Sequence, residues 1–387
     1  MTRLRQRAGR ATPHAPPSRQ AAAGGLLALR EAAGNRAFGQ LVRAAVARDP
    51  AADLKRVGVR DTWLADRLGA SELGKTAGKR SIELRFFPGK TTRRALVIGG
   101  VHGTERQGVQ VARLLEKDLA ATPSDFSVLL VPVLFPDNAA AGKLGIREEE
   151  GKHTNRNFPD PGKDLAAAGG KDATGHDILP ENQLLMQLME RFKPERIISL
   201  HGTQHPEKAG VFYDPRKLTP EDELESARSA SASARPRPSD SEGSSEARFR
   251  TLYDRSVADK LAAAGAADKD LSLRAAQLID TATAGVKGRE ARKLGAGTQH
   301  PSVAGNVGPS GKVDTGHWGG EVPTGTSLGD YASARGTSIF TVEPPVNRNI
   351  ADYGKGGNNA GEKVSQADRT TELQAYADAV RTVLLGL

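Results

Sequence analysis

His102 and Glu105 stand three residues apart in Arg94-Ala-Leu-Val-Ile-Gly-Gly-Val-His102-Gly-Thr-Glu105-Arg-Gln-Gly108, between an apolar run and a helix-like segment. Gly99 and Gly100 permit a sharp turn after the run, where most residues with a Cβ would strain the backbone. An imidazole nitrogen and a carboxylate oxygen sharing that corner can fill two vertices of a tetrahedral metal site. Taken alone, the pair also fits a helix N-terminus whose glutamate answers the macrodipole, beside an incidental loop histidine. A metal site needs a third ligand, and a hydrolytic one needs a base.

Two further apolar runs end in residues of that kind. Arg196-Ile-Ile-Ser-Leu200 leads into His201, and Ser338-Ile-Phe-Thr-Val342 leads into Glu343. In open α/β sheets ligands gather beyond the carboxyl ends of the strands, and two of the chain's eight histidines fall at such ends. His102, Glu105 and His201 together make a His₂Glu set, which leaves a fourth zinc position open, as catalytic sites do. Glu343 then has a role as general base and acid, removing a proton from water and returning it to a leaving nitrogen. The polar stretch 136–160 adds Arg147 and Asn155-Arg156-Asn157-Phe158-Pro159. A guanidinium suits bidentate capture of a carboxylate, and asparagine adds a directional donor. A second arginine aimed at a polarised carbonyl would stabilise the oxyanion.

The elements that must position these residues follow from hydrophobic periodicity. Ser81–Phe87 alternates like an edge strand, with Phe86-Phe87 breaking the alternation. Arg94–Ile98 is a continuous apolar strand, the kind a sheet covered on both faces requires. Gln107–Leu119 is helical, with Val109, Ala112, Leu115 and Leu119 on one face. Ser127–Leu134 is a buried strand whose Pro132 marks a bulge or its end. Pro180 opens a helix carrying Leu184, Leu185, Leu188, Met189 and Phe192. Strands at 196–200 and 338–343 and a closing helix from Thr371 to Leu387 complete the pattern. The expected fold is α/β: a mixed, mostly parallel sheet flanked by helices on both faces. Residues 51–387 are expected to form the catalytic domain. Residues 216–300, rich in Ser, Ala, Arg and Pro, read as an insertion within it, partly disordered and partly helical.

Composition excludes several classes of function. The chain has no cysteine, so disulfides, thiolate metal sites and cysteine nucleophiles are all ruled out. It carries 55 basic and 46 acidic residues, a net charge of +9, with aromatics at only 4%. That is a mild bias toward anionic partners without the interleaved basic and aromatic surface that nucleic-acid binding calls for. No stretch approaches the roughly 20 apolar residues of a membrane span. The basic start, Met1-Thr-Arg-Leu-Arg-Gln-Arg7, leads into Pro, His and Ser instead of an apolar signal core. A cytoplasmic location is therefore the default expectation.

Six segments occur in order: Val101-His-Gly-Thr-Glu105, Pro136-Asp-Asn138, Thr154-Asn-Arg-Asn-Phe-Pro159, Pro180-Glu-Asn-Gln183, Ser199-Leu-His-Gly202 and Thr341-Val-Glu-Pro344. Together they resemble the zinc carboxypeptidase family, the carboxypeptidase A-like group that includes bacterial murein-peptide amidases. The resemblance covers roughly 81–215 and 320–387. It implies one zinc ion per chain on His102, Glu105 and His201, with Glu343 as general base and acid. It also implies that Asn155 and Arg156 hold the substrate's terminal carboxylate, and that Arg147 polarises the scissile carbonyl after a one-residue shift of the loop. The implied activity is hydrolysis of a C-terminal or stem-peptide amide bond. The family carries an aspartate two residues before the Asn-Arg pair to orient a ligand histidine, and here that position is His153. No tyrosine lies six residues before Ser327, where digestive members carry a substrate-capping one; Trp318 and Tyr331 are the candidate substitutes. A deacylase of N-acyl amino acids, like the succinylglutamate desuccinylase and aspartoacylase group, shares the His-x-x-Glu, Asn-Arg and strand-end His pattern.

Residues 1–50 read as an arm, unstructured to about residue 24 and then forming short helices around Gly34-Asn35. Within it, Leu29-Arg-Glu-Ala-Ala-Gly-Asn-Arg-Ala-Phe-Gly-Gln-Leu-Val42 resembles leader segments on cargo of extracellular contractile injection systems in actinobacteria. It reads equally as a helical docking arm. The resemblance implies a contractile injection particle as partner and export through that apparatus.

Overall fold

The structure is a computed structural model, and it describes residues 49–141, 148–149, 152–161, 163–203, 209–214, 218, 220–234, 242–286, 326–345 and 366–387. The arm expected over 1–50 lies outside them except for its last two residues, and Arg147, Trp318 and the stretch 287–300 of the expected insertion also lie outside. Residues 48–387 belong to one compact unit.

The chain enters through helices α1 (Pro50–Arg56) and α2 (Thr62–Ala70), each started by an aspartate cap: Asp49 accepts from Ala51 N and Asp61 from Leu64 N. Strands β1 (Glu72–Lys75), β2 (Ser81–Glu83), β3 (Arg85–Phe87) and β4 (Arg94–Gly99) follow, then helix α3 (Arg106–Ala121), strand β5 (Ser127–Val131) and helix α4 (Pro136–Ala141). Next come β6 (Glu148–Glu149), β7 (Lys152–His153), α5 (Pro180–Phe192), β8 (Arg196–Leu200) and β9 (Gly210–Tyr213). Helices α6 (Pro220–Ser233), α7 (Glu242–Ala282) and α8 (Leu328–Ser333), strand β10 (Ser338–Glu343) and helix α9 (Gln366–Ala379) complete the order, and Val380–Leu384 adds a π-helical turn to α9.

The main sheet has the order β3-β5-β4-β8-β10-β9. Its four inner strands are parallel, and β3 and β9 close the two edges antiparallel. The continuous apolar runs are explained by what covers them. Leu96, Ile98, Leu129, Ile197 and Ile339 point to one face and pack with Leu64 and Leu68 of α2, Leu185, Leu188 and Phe192 of α5, and Tyr331 of α8. Ala95, Val97, Leu130, Ile198, Phe340 and Val342 point to the other and pack with Val111 and Leu115 of α3, Ile279 of α7, and Tyr376 of α9. With both faces dry, a polar residue at every second position would be a buried polar group without water, so alternation disappears.

Three segments differ from their sequence reading. The single edge strand expected over 81–87 is two short strands: β2 pairs with β1 outside the main sheet, and β3 pairs with β5. Phe86-Phe87 breaks the alternation because the chain changes sheets at Leu84. The strand expected to run from Ser127 to Leu134 stops at Val131, just before Pro132. Among the described residues, the helical patches expected within 249–300 belong to one helix of 41 residues, α7.

Candidate metal centre

The three strand ends named above face one region because β4, β8 and β10 are adjacent and parallel. After β4 the chain turns through Gly100, whose φ of +60° suits glycine and few other residues. It then makes one tight turn, Glu105 N–H to His102 O at 2.9 Å, and enters α3. Asn138 on α4 steadies this turn, its Oδ1 accepting Thr104 N–H at 3.2 Å, which accounts for the Pro136-Asp-Asn segment. The first turn of α3 lies hard against the end of β8. A Cβ on Gly108 would stand 2.4 Å from the carbonyl oxygens of both Leu200 and His201. Only a hydrogen at that position lets the helix come so close.

Glu105 is the N-cap residue of α3, yet its side chain caps nothing. The carboxylate reaches across instead: Oε2 lies 3.0 Å from His201 Nδ1 and accepts Gly202 N–H at 3.1 Å. His201 is set at the end of β8 by its own N–H, which donates to Val342 O at 2.9 Å. The His102 and His201 rings have centroids 5.1 Å apart. One ligand atom from each of His102, Glu105 and His201 lies within 4.8 Å of the others. All three side chains are buried, at 3%, 8% and 4% exposure. Two imidazoles and a carboxylate brought together out of solvent form a donor set that fits a borderline-soft divalent cation.

Glu343 stands outside this donor set, one strand over. The β8–β10 register pairs Leu200 with Val342, so Glu343 is beside His201 at the last position of β10, and it is buried at 7% exposure. Beyond it Thr203 N–H donates to Pro344 O at 3.0 Å, which continues the ladder past the strand ends.

Asn155 and Arg156 follow β7 in a turn closed by Arg156 N–H to His153 O at 2.9 Å. Arg156 Nη1 donates to Asn155 O at 3.0 Å, and Asn155 Oδ1 accepts Leu328 N–H at 3.3 Å from the start of α8. The next residue, Asn157, is fastened on both ends of its amide. Its Nδ2 donates to Asp172 Oδ2 at 2.7 Å and its Oδ1 accepts Leu179 N–H at 2.6 Å. Asp172 has its carboxyl held below the usual range: burial pushes it up, but hydrogen bonds from Thr174, Asn157 and two backbone N–H groups outweigh that.

Beside His153, which the sequence reading notes, the structure adds residues that this reading does not single out. Thr154 Oγ1 lies 2.6 Å from His102 Nδ1, both side chains being buried. Asn182 of α5, fully buried, donates to Thr154 O at 2.9 Å and to Asn157 O at 3.2 Å. His153, at the position where the resembled family has an acid, packs edge-on against the His102 ring at 5.1 Å between centroids. Asp214 follows β9, which runs antiparallel to β10, so it lies level with Ile339 at the opposite end of β10 from Glu343, its N–H donating to Ile339 O at 3.3 Å, and no strand-end signal pointed to it. It keeps part of its surface in solvent, yet burial first, then the Asp330 carboxylate, push its carboxyl up to about 7 against the pull of Arg156 and His201. Of the expected site, then, His102, Glu105 and His201 come together, Glu343 adjoins them, Asn155 and Arg156 form one turn, and Arg147 lies outside the described residues.

No family model and no curated protein matches the chain. Among solved structures it is similar to murein-tripeptide amidase MpaA from Escherichia coli O157, at 18% identity over 79% of this chain and 90% of that one, with a TM-score of 0.37. It is similar to a metallo-carboxypeptidase from Burkholderia cenocepacia, at 14% identity over 86% of this chain and 67% of that one, TM-score 0.41. It is also similar to bovine thrombin-activatable fibrinolysis inhibitor, seen in complex with tick carboxypeptidase inhibitor, at 13% identity over 82% of this chain and 90% of that one, TM-score 0.42. At these identities and overlaps the likeness carries no argument about chemistry, which stands on this chain's own side chains.

Proposed function

We propose that this protein is a zinc-dependent peptidase of the metallocarboxypeptidase type, hydrolysing an amide bond close to a free carboxylate. The observation that carries the reading is the buried convergence of His102, Glu105 and His201, with ligand atoms within 4.8 Å of one another. Zinc suits this donor set, and when bound it polarises a carbonyl oxygen and makes a water proton easier to remove. Glu343 takes that proton as the water oxygen bonds to the carbonyl carbon, and returns it to the nitrogen as the C–N bond breaks. Its burial beside His201 supports the role, because a carboxylate turned to bulk solvent would be a weaker and less directed base. Asn155 and Arg156 bind the substrate's carboxylate, and Arg147 stabilises the oxyanion.

The net charge of +9 and the guanidinium of Arg156 favour an acidic peptide, of which a peptidoglycan stem peptide is the proposed example. The test is mass spectrometry of products from a peptide library, stem peptides and N-acyl amino acids, using zinc-loaded and chelator-treated protein. The expected result is release of a C-terminal residue or cleavage of a stem peptide, abolished by the chelator and restored by zinc. Hydrolysis of N-acyl amino acids alone would move the protein to the deacylases, and turnover indifferent to chelation would end the metal reading. Residues 1–50 are proposed as the segment that loads the protein onto a contractile injection particle. Deleting them is expected to abolish co-purification with such particles, and retained co-purification would remove that assignment.

A further inference from the structure

Asn155 and Arg156 are half-buried on the outer side of their turn, while Thr154 and Asn157, which flank them, are buried at 0% and 1% exposure. A guanidinium captures a carboxylate well only when its planar fork arrives at the right angle. On a mobile turn, ordering that fork would cost affinity each time a ligand bound. Here the fork is tied to the turn itself, since Arg156 Nη1 donates to Asn155 O at 3.0 Å. Whatever fixes the turn therefore fixes the fork. We propose that Asn157 and Asp172 are positioning residues for Asn155 and Arg156: they lock the buried side of the turn, so that its outer side meets a substrate's terminal carboxylate already ordered. The inference rests on the carboxylate-binding role proposed above for Asn155 and Arg156.

Both ends of the Asn157 amide are engaged. Nδ2 donates to Asp172 Oδ2 at 2.7 Å and to Asp177 O at 3.1 Å, and Oδ1 accepts Leu179 N–H at 2.6 Å. Asp172 is held in turn, its Oδ1 accepting Thr174 N–H at 2.9 Å, the Thr174 hydroxyl at 2.8 Å and His176 N–H at 2.9 Å. Ala173 N–H adds a backbone bond to Phe158 O at 3.0 Å, so the chain returns after the turn to clasp it. From the other side Asn182 of α5, at 0% exposure, donates to Thr154 O at 2.9 Å and to Asn157 O at 3.2 Å. Its Oδ1 is buried with no hydrogen-bond partner among the described residues. An unmet buried acceptor costs stability, so this asparagine is explained by the two carbonyls it grips.

Asp172 supplies the charged joint. Burial pushes its carboxyl up, but the hydrogen bonds to it win and keep it ionised at neutral pH, and a bond to an ionised acceptor is stronger than one to a neutral oxygen. Asn157 and Asp172 are both buried, so they act through Asn155 and Arg156 and not on the substrate directly.

The experiment takes the peptide that zinc-loaded wild type cleaves fastest in the library above, and the same peptide with its terminal carboxylate converted to the amide. Calorimetry measures the Kd of each for zinc-loaded Glu343→Gln protein, which is expected to bind without turnover, and for that protein carrying Asn157→Ala, Asp172→Ala or Asp172→Asn. The preference of acid over amide is expected to fall roughly 10- to 100-fold in the two alanine variants, with Asp172→Asn between them and the parent and with zinc content unchanged. A preference as large as the parent's, or an equal loss of affinity for acid and amide, would overturn the inference while leaving the role of Asn155 and Arg156 intact. A parent that does not distinguish acid from amide, or a wild type that cleaves no peptide, would overturn both readings. Should the alanine variants fail to fold, Asp172→Asn decides alone: it keeps the shape and removes the charge, so a fall in preference of threefold or more supports the inference and a smaller one overturns it.

Discussion

On the proposed function the side chains divide into those that meet the reacting atoms and those that hold them there. Replacing Glu343 with Gln keeps the shape and removes the base. It is expected to lower kcat by about 10² to 10⁴ while metal content by atomic emission stays at the wild-type level. Loss of metal on that change would reassign Glu343 as a ligand. His201→Ala is expected to abolish stoichiometric metal binding, because it removes a donor and leaves Glu105 Oε2 without its 3.0 Å partner. Asp214 gives a pH signature in the chelator-treated protein. Its folded-state pKa of about 7 lies above the ordinary value of 3.8, so the folded state binds the extra proton between those limits. Stability from this group is thus fully present below about pH 4 and lost as pH rises through 7. Asp214→Asn removes that loss and is expected to raise stability at pH 8 by roughly 1 to 3 kcal/mol, with little effect at pH 4, as read by denaturant unfolding. The candidate donors were legible because His102-x-x-Glu105 is local and His201 directly follows an apolar run, as Glu343 does beside them. Thr154 was not, since nothing in Lys152-His-Thr-Asn155 says which side chain meets a ring carried by another strand.

Packing between elements decides whether those side chains can meet. The approach of α3 to β8 at Gly108 is a tight joint, and it joins the segment bearing Glu105 to the one bearing His201. Gly108→Ala would place a methyl group 2.4 Å from two backbone oxygens, neither of which is the flexible end of a side chain. The helix must shift, at a cost of about 1 to 3 kcal/mol. The expected outcome is a fall in zinc affinity larger than the fall in melting temperature would suggest; unchanged affinity would show that Glu105 adapts. The helix over 106–121 and the strands at 94–99 and 196–200 were legible from periodicity to within a few residues. β9 was not, because four residues between polar stretches give no period to count, and its status as a strand comes from pairing with β10. Helix α7 was read as patches because Ala- and Gly-rich sequence around Gly265 carries little amphipathic signal; its last turns become legible only against the sheet they cover.

At the scale of the molecule, the end of α7, within the region read as an insertion, packs into the core. Ala275, Ala276 and Ile279 of α7 are fully buried, and Ala275 and Ile279 pack in the same cluster as Val97, Ile198 and Phe340 of the sheet. Ile279→Ala is accordingly expected to cost about 2 to 5 kcal/mol in unfolding free energy. A cost near zero would mean that α7 docks loosely and is dispensable. The α/β class followed from apolar runs alternating with helices. The antiparallel edges could not follow from that, since β3 and β9 are too short to declare a direction. The adjacency of β4, β8 and β10 has a thermodynamic sequel. The hydrogen-bonded ladder holds β4 and β8, which lead into His102 and His201, about 4.8 Å apart, and the close approach of α3 at Gly108 brings Glu105 to them, with no help from an ion. Stripped protein should therefore keep its far-ultraviolet circular dichroism, and added zinc should raise the melting point only by mass action, growing with the logarithm of free zinc above its dissociation constant. On that reading, a cation would meet a seat already carved.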